Sequence, residues 1–350
     1  MRTRFKAKIL PYGALPYSDI ALVKNMMTKL FSAFPYLPCL PNISEYDTIE
    51  YRTLCGMPGI VVEGKKISLQ AGTQQYEREM SDLERIFNNP SKYPLDQYAF
   101  EAPFLEEYLD IIKTFKSPNA CISLLGPFTV SQLLMNIAKE QVLADKSYRK
   151  IFVQAIYIKA LWIIQKIKEY NPAIIPVIIL EEPMLGRLST VKRENDYITT
   201  ELVINMLERV IEKLHKAGAI VGVQCMEKCD WNIPINAGVD IISFDAYNNP
   251  NNLNIISEQI KKFLYRGGKI SWGIVPVGSE KLIKDATVEA MFLKFSKTIE
   301  GLYQAGVPIS LIQKSSIIAL NNDADKLPIM FSEKALLIAT QLASKLVILY

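Results

Sequence analysis

The sequence predicts an α/β protein, and more closely a (β/α)8 barrel (TIM barrel) that forms a single domain over residues 1–350. Short apolar runs rich in β-branched residues recur along the chain, and segments with apolar residues at i, i+3 and i+4 separate most of them. Several helical segments end at a glycine before the next apolar run, as at Gly218, Gly268 and Gly306. Such alternation implies a parallel sheet covered by helices, and eight apolar runs match a closed barrel better than an open sheet.

The predicted strands are the apolar runs themselves, at residues 8–10, 34–40, 120–125, 176–180, 220–223, 240–244, 269–274 and 315–318. Helical spacing covers residues 18–31, 147–170, 199–217, 251–265 and 288–305, and Ser18 is the expected N-cap of the first helix. The apolar segment 335–350 is shorter than the roughly 20 residues that a membrane span needs. It also contains Gln341, Ser344 and Lys345, so we expect a final helix that packs on the core.

The alternation of strands and helices breaks between Pro41 and Ser117. Residues 60–68 have the pattern of a β-hairpin, and residues 74–87 and 95–115 have the pattern of two helices with one polar face. We therefore expect an N-terminal hairpin and helical insertion, at about residues 41–117, over one end of the barrel.

Composition and charge limit the kinds of partner. The chain is 49% hydrophobic and 22% charged, which is enough to bury a large core. Its 40 basic and 36 acidic residues leave a net charge of +4, spread along the chain without a basic block. We therefore expect neither a nucleic acid nor a membrane as a partner. The expected partner is a small-molecule substrate.

Cysteine usage and the N-terminus indicate the compartment. Only Cys225 and Cys229 of the five cysteines are close in sequence, so a disulfide framework is not expected. Residues 1–10 carry charge but lack the apolar segment of a secretory signal. Both observations favour a cytoplasmic protein.

Polar side chains follow several predicted strands, at the rim where a barrel holds its active site. Glu181, Asp245 and Cys225 are the candidate catalytic residues. A carboxylate at this rim is costly unless it is paired or binds something. One of the consecutive glutamates Glu181 and Glu182 is therefore expected to face the barrel mouth, with Glu181 favoured as the functional one; the alternative is a salt bridge to Arg187 or another rim cation.

Thiol and imidazole chemistry receive less support. Cys225 and Cys229 are four residues apart, wider than a Cys-x-x-Cys pair, so buried and inert thiols are the simpler interpretation. The single histidine, His215, lies at a helix end before Gly218, where a basic side chain suits the helix dipole. A catalytic or metal-binding histidine is not expected.

Short motifs along nearly the whole chain carry a family resemblance. They are GALP at 13–16, CLPN at 39–42, GMPG at 56–59, GP at 126–127, EEP at 181–183, QCM at 224–226, DW at 230–231, SFDAY at 243–247 and WGIVP at 272–276. In this order they resemble the superfamily of cobalamin-independent methionine synthase C-terminal domains and uroporphyrinogen decarboxylases, in particular its short single-barrel methionine synthase-like members. The resemblance implies a barrel that holds zinc through one histidine, two cysteines and an acidic residue. The zinc lowers the pKa of a thiol substrate, which then accepts a methyl group.

Carried over by position, the implied zinc ligands fall on Gln224, Met226, Asp245 and Asn321. Three of the four have changed type, and neither an amide nor a thioether is a good zinc ligand. Zinc is therefore not expected at this inherited site, and the cofactor stays open. Cys225 and Cys229 with Asp245 form an alternative set, which requires a shift of the loop between them.

The resemblance and the rim residues predict a methionine synthase-like methyltransferase of methionine biosynthesis with a degraded zinc site. It would move a methyl group from a folate or corrinoid donor to a thiol. Two alternatives stay open: a catalytically inactive barrel that binds a metabolite or a corrinoid, and a metal-independent decarboxylase-like enzyme. The candidate substrate-binding residues are Gly13, Gly126, Glu182, Gln224, Asp230, Trp231, Tyr247 and Trp272.

Overall fold

A curled sheet of parallel strands forms the centre of the molecule. The computed structural model describes residues 8–63, 66–134 and 146–349. Its strands are β1 (Ile60–Glu63), β2 (Lys66–Leu69), β3 (Asn119–Leu125), β4 (Ile175–Glu181), β5 (Ile220–Cys225), β6 (Ile241–Phe244), β7 (Lys269–Val275) and β8 (Ser316–Leu320). Strands β3 to β8 pair in chain order as one parallel sheet, and β1 and β2 form a separate antiparallel hairpin. The predicted mixed α/β class is confirmed.

Helices separate and cover the strands. They are α1 (Ile20–Phe31), α2 (Ile49–Leu54), α3 (Gln74–Asn88), α4 (Leu105–Phe115), α5 (Pro127–Leu133), α6 (Lys146–Tyr170), α7 (Leu188–Glu194), α8 (Thr200–Lys216), α9 (Asn232–Asn236), α10 (Ser257–Tyr265), α11 (Glu280–Asp285), α12 (Val288–Gln304), α13 (Ile309–Ser315) and α14 (Ile329–Leu349). At least one helix follows each strand from β3 onward, which is the predicted alternation. Within the described ranges, none of these helices combines the length and the apolar character that crossing a bilayer requires.

The strands of the parallel sheet are covered on both faces. Every residue of β3, β5, β6 and β8 is buried. Parallel sheets are stable only when both faces are covered, so their strands are nearly continuous apolar runs instead of alternating ones. This is why the apolar runs of the sequence locate β3 to β8 closely.

The register of the sheet decides which side chains share a face. A row of four polar side chains, the polar row, crosses β4 to β7: Glu181, Gln224, Ser243 and Ser271. The next row, the aromatic row, contains one thiol and two aromatic rings: Cys225, Phe244 and Trp272. Because successive side chains of a strand point to opposite faces, the two rows lie on opposite sides of the sheet.

The expected barrel of eight strands is met only in part, because the described chain has six strands in its parallel sheet. Residues 8–10 and 34–40, predicted as the first two strands, form isolated bridges instead of ladders. These parallel bridges join Ile9 to Ile318 on β8, Ala14 to Cys39, and Tyr36 to Cys121 on β3. Pro35, Pro38 and Pro41 interrupt the second segment, and proline has no N–H group to donate to a ladder.

Several predicted helix boundaries are also corrected. α1 begins at Ile20, and its N-cap is Asp19 instead of Ser18, because Asp19 Oδ1 accepts the N–H of Ala21 at 2.7 Å. The predicted helix at 95–115 is divided into a short 3-10 turn, Asp96–Tyr98, and α4. The predicted helix at 251–265 begins only with α10, after an asparagine-rich turn, and α14 begins before residue 335. The predicted N-terminal segment, hairpin and final helix also include residues 1–7, 64–65 and 350, which lie outside the described residues.

A buried ion pair holds the insertion against residues 37–40. The side chains of Arg52 on α2 and Asp47 are both 1% exposed, and Arg52 Nη2 lies 2.9 Å from Asp47 Oδ1. The guanidinium also donates to the carbonyls of Leu37 and Pro38, each at 2.8 Å. The other oxygen of Asp47 accepts the N–H of Leu40 at 2.8 Å. This network positions α2 beside the carboxyl ends of the strands.

Candidate functional site

A cavity of about 390 Å³ opens where the strands end. The insertion, Ser123 on β3, Glu181 on β4 and the loops after β7 and β8 all contribute to its wall. The charged side chains on this wall are Asp47, Glu50, Arg52, Glu181, Asp323, Asp325 and Lys326. Carboxyl groups therefore outnumber cations, and we refer to this space as the Glu181 cavity.

Glu181 enters the cavity from the end of the polar row. Its side chain is half-buried and hydrogen-bonds to Ser123. Burial, followed by the neighbouring carboxyl group of Asp323, raises the pKa of Glu181 from 4.5 to about 8, although the Ser123 hydrogen bond and Arg52 act in the opposite direction. The structure thus provides a carboxyl group that can exchange a proton near neutral pH.

Asp323, in the loop after β8, is the second acid of the cavity. Its Oδ1 accepts the N–H of Ala14 at 3.0 Å. Although the side chain reaches solvent at the cavity mouth, the surrounding protein raises its pKa, and Asp325 and Glu50 add to this effect. Gly13 lies directly beneath: its φ is +92°, and an added Cβ would overlap Asp323 Oδ1, so no other residue fits without displacing the acid.

Tyr12 connects the cavity with the centre of the sheet. Its hydroxyl donates to the carbonyl of Leu320 at 2.7 Å and lies 3.9 Å from Met226 Sδ. Burial raises the pKa of Tyr12 well above 10, and the carboxyl groups of Asp323, Glu181 and Asp245 add to the shift. Three acids from separate segments are therefore near enough to raise the pKa of one phenol.

The four positions onto which the resemblance carries zinc ligands hold donors that zinc does not favour. Asn321 Oδ1 accepts the N–H of Val277 at 2.9 Å, and Asn321 Nδ2 donates to Asp245 at 3.3 Å. Asp245 also accepts from the backbone and the side chain of Asn248 at 3.0 and 2.6 Å. Among the described residues no group of three or more histidine, cysteine, aspartate and glutamate side chains is arranged to hold a metal ion. The donors of Gln224 and Met226, an amide and a thioether, complete a set that zinc does not favour.

Gln224 has a buried acceptor atom without a hydrogen-bond donor. It is buried in the polar row beside Glu181, and its Oε1 has no hydrogen-bond partner in the part of the chain that the structure describes. A buried acceptor without a donor is unfavourable, so a ligand that brings an N–H or O–H group would stabilise it.

Glu182 points away from the Glu181 cavity and fixes the start of α5. It is fully buried, and its carboxylate accepts from Phe128 N at 2.9 Å, Thr129 N at 2.7 Å and Thr129 Oγ1 at 2.6 Å. Burial nevertheless raises its pKa from 4.5 to about 7. An added Cβ at Gly126 would overlap this carboxylate. Glu182 and Gly126 therefore both contribute to the packing at the start of α5.

The remaining sequence candidates lie elsewhere. Cys225 and Trp272 belong to the aromatic row. The ring of Trp272 is tilted against Phe244 and meets Phe295 edge to face, and its Nε1 donates to Ser316. Lys294 covers the ring of Tyr247 at 4.0 Å from its centroid. Asp230 and Trp231 line a second cavity, together with Cys229.

Sequence reasoning missed Tyr12, Arg52 and Asp323. Tyr12 directly precedes the singled-out Gly13, and Asp323 comes two residues after the inherited ligand position Asn321. Both were therefore within reach of a motif-based argument. Arg52 lies in the insertion, which is outside the alternation of strands and helices that locates the rim. Only the folded structure shows that it reaches the cavity.

Comparison with known proteins gives information about the fold only. No family model and no curated protein sequence matches the chain. A methyltransferase from Methanosarcina mazei is 14% identical over 93% of this chain and 86% of its own, with a TM-score of 0.52. A B12-independent methionine synthase from a Shewanella species, solved with selenomethionine, is 16% identical over 72% of this chain and 70% of its own, with a TM-score of 0.45.

At these identities the likeness to the Methanosarcina mazei protein shows the fold alone, and the TM-score of the methionine synthase is too low to carry an argument. The chain therefore has a methyltransferase-like fold, which is the coarse part of the resemblance that its motifs indicate.

Proposed function

We propose that the chain is a methionine synthase-like methyltransferase that acts in the Glu181 cavity. It would move a methyl group from a folate or corrinoid donor to a small thiol, without zinc at the inherited positions. The observation that carries the proposal is the pair of acids, Glu181 and Asp323, whose pKa values are both raised within one cavity. Strongly perturbed carboxyl groups in a cleft concentrate at functional sites. The methyltransferase-like fold supports the reaction class by analogy only.

The pKa of Glu181 suits proton exchange with a thiol. At about 8 it lies close to the pKa of a free thiol, about 8.5, so a proton moves between the two groups at little cost. The Glu181 carboxylate takes the thiol proton, and the sulfur forms a bond to the methyl carbon. The bond between the methyl group and its donor breaks, and the electron pair stays with the donor. Where the donor atom is nitrogen, the proton that Glu181 has taken from the thiol passes to that nitrogen.

Two further groups would orient a polar substrate. Gln224 lies next to Glu181 in the polar row but behind the lining of the cavity, so a substrate group that reaches past Glu181 would donate an N–H or O–H to its unpartnered Oε1. Lys326 on the cavity wall would attract a substrate carboxylate.

The proposal includes a wider architecture. Residues 8–10 and 34–40 would complete an eight-position barrel, and the three isolated bridges support this arrangement. The whole chain would then be one barrel domain with the insertion at about 41–117, and a cytoplasmic location stays a prediction.

The test is an assay of the purified protein with methyl-folate and methyl-corrinoid donors and small thiols, with and without added zinc. We expect turnover that does not require zinc and that falls by about 100-fold or more in Glu181→Gln, because general acid–base groups contribute rate factors of this size. Asp110→Asn removes an exposed carboxylate on α4 that pairs with Lys24, and this matched control should keep its activity. Background rates with every donor and acceptor, from protein shown to be folded, would refute the proposal.

The raised pKa of Glu181 also favours a second candidate, the metal-independent decarboxylase-like enzyme. A carboxyl group with a pKa of about 8 is mostly protonated at neutral pH. It could donate its proton to the carbon that is left when the bond to the departing carbon dioxide breaks. Release of carbon dioxide from porphyrinogen or small carboxylic acids, lost in Glu181→Gln, would support this candidate; no release would reject it.

A further inference from the structure

A second cavity, of about 450 Å³, lies among the loops that follow β4, β5 and β6. Its volume is within the range of small-molecule sites, about 300–1,000 Å³. In the described chain it shares no lining residue with the Glu181 cavity. Much of its wall is apolar, and the apolar side chains are Leu185, Leu188, Ile233, Ile255 and Ile256.

Two buried N–H donors on this wall lack an acceptor. Trp231 is 1% exposed, and neither its Nε1 nor the Nδ2 of Asn252 has a hydrogen-bond partner among the described residues. The other two indole groups of the chain are paired, since Trp272 Nε1 donates to Ser316 at 2.9 Å and Trp162 Nε1 donates to Asp96 at 3.4 Å. Buried donors in folded proteins are nearly always satisfied. A ligand that brings an acceptor group to either donor would satisfy it.

The charges around these donors favour an anion. Lys192 and Lys228 line the cavity, and Asp230 is its only acidic lining residue within the described ranges. A second carboxyl group, that of Glu227, lies beside the lining residue Gly186. Asp230 Oδ1 is already engaged by the backbone and side chain of Asn232, at 3.0 and 2.9 Å. Lys192 donates to Thr200 at 3.0 Å, at the N-terminus of α8, where the helix dipole adds positive potential.

One apolar side chain of the cavity wall is exposed to solvent. Ile255 is 83% exposed, which is unusual for a large aliphatic side chain beside a cavity. An exposed apolar surface next to convergent donors and cations fits a ligand with one anionic and one apolar end.

We infer that this second cavity binds a small amphipathic carboxylate, whose head group accepts hydrogen bonds from Trp231 and Asn252 and whose apolar tail lies against Ile255. Lys192 and Lys228 would provide the charge that selects an anion. The inference stands on this cavity alone and does not depend on methyl transfer in the Glu181 cavity.

Nuclear magnetic resonance of the ¹⁵N-labelled full chain tests it directly, because the chain has three tryptophans and hence three indole N–H signals. Sodium octanoate is the probe, and Trp→Phe variants assign the signals. We expect the Trp231 signal to shift saturably, while those of Trp162 and Trp272, which already have acceptors, stay in place. Octan-1-ol, which has the same tail but no charge, should bind at least about tenfold more weakly.

Two variants separate a local role from a general one. Trp231→Phe should weaken octanoate binding by about tenfold in calorimetry, because it removes one hydrogen bond to a charged group. Trp162→Phe loses an indole that donates to Asp96 outside the cavity, and it should bind as the parent does. The inference is overturned if octanoate leaves the Trp231 signal unmoved at millimolar concentration, if octan-1-ol binds equally well, or if a folded Trp231→Phe keeps full affinity. The direct shift in the unsubstituted chain decides the matter if that variant does not fold.

Discussion

The buried pair of Arg52 and Asp47 provides the sharpest test of how the insertion is held. We consider Arg52→Met, which keeps an unbranched side chain but removes the charge and every donor. Asp47 would then be a buried carboxylate with one remaining donor, the N–H of Leu40. The carbonyls of Leu37 and Pro38 would each lose a charged donor at 2.8 Å. Removing one partner of a buried ion pair costs about 3–5 kcal/mol.

We place the expected loss at about 4 kcal/mol, because both side chains are 1% exposed and solvent cannot compensate. The pair of Lys24 and Asp110 is the matched control, since its distance of 3.1 Å is similar but its side chains are 46% and 56% exposed. Lys24→Met should therefore cost less than about 1 kcal/mol. The contrast between the two variants depends on burial and not on contact distance.

Urea unfolding followed by circular dichroism at pH 7 measures both variants. A third variant, Arg52→Met combined with Asp47→Leu, removes the stranded charge and should recover part of the loss, which a double-mutant cycle would report as a coupling energy. If Arg52→Met costs no more than Lys24→Met, or if the double variant is less stable than Arg52→Met alone, the pair does not hold the insertion in the way that its geometry indicates.

Glu182, Gly273 and Glu181 each give a further measurable expectation. Burial raises the pKa of Glu182 from 4.5 to about 7, so the folded chain keeps a proton that the unfolded chain releases in this interval. The stabilisation from this proton is complete at low pH and is lost as the pH rises through about 7. The free energy of unfolding should therefore fall by about 3 kcal/mol over this interval. Urea unfolding at several pH values measures this fall, which should be absent in Glu182→Gln. Gly273→Ala would put a Cβ 2.7 Å from the carbonyl of Phe244 and 2.9 Å from that of Leu320, and urea unfolding should show a loss of about 3 kcal/mol. Gly278→Ala, where a Cβ meets no described atom within 4 Å, should change stability by less than about 0.5 kcal/mol. The rate of the proposed methyl transfer should rise about tenfold per pH unit and level off near pH 8 as Glu181 loses its proton, and a flat profile below that pH would count against Glu181 as the base.

The sequence predicts the strands of the parallel sheet well because burial on both faces requires continuous apolar runs, as in β3. It fails at residues 34–40, where the same apolar character is present but three prolines in and beside the segment remove backbone donors. Hydrophobicity alone does not distinguish a strand from an apolar segment that makes a single bridge.

The candidate site was predictable to a smaller extent. Strand ends locate Glu181 and Asp245 near the rim, because parallel strands present their carboxyl ends to one side. After burial, the largest rise in the pKa of Glu181 comes from Asp323, which follows a different strand. The pairing of Glu181 with Asp323 depends on the contact between the loop after β8 and Ala14. No local sequence pattern predicts that contact.

Strand alternation finally explains why a zinc site cannot be rebuilt from Cys225, Cys229 and Asp245. Cys225 belongs to the aromatic row, whereas Asp245 continues the face of the polar row one step beyond Ser243. Bringing both to one metal ion would require β5 to slip by one residue against β6. Such a slip would turn every side chain of β5 to the other face, and it would remove Gln224 from its place beside Glu181. The register that brings Gln224 to Glu181 is therefore the same register that places the Cys225 thiol on the face opposite Asp245.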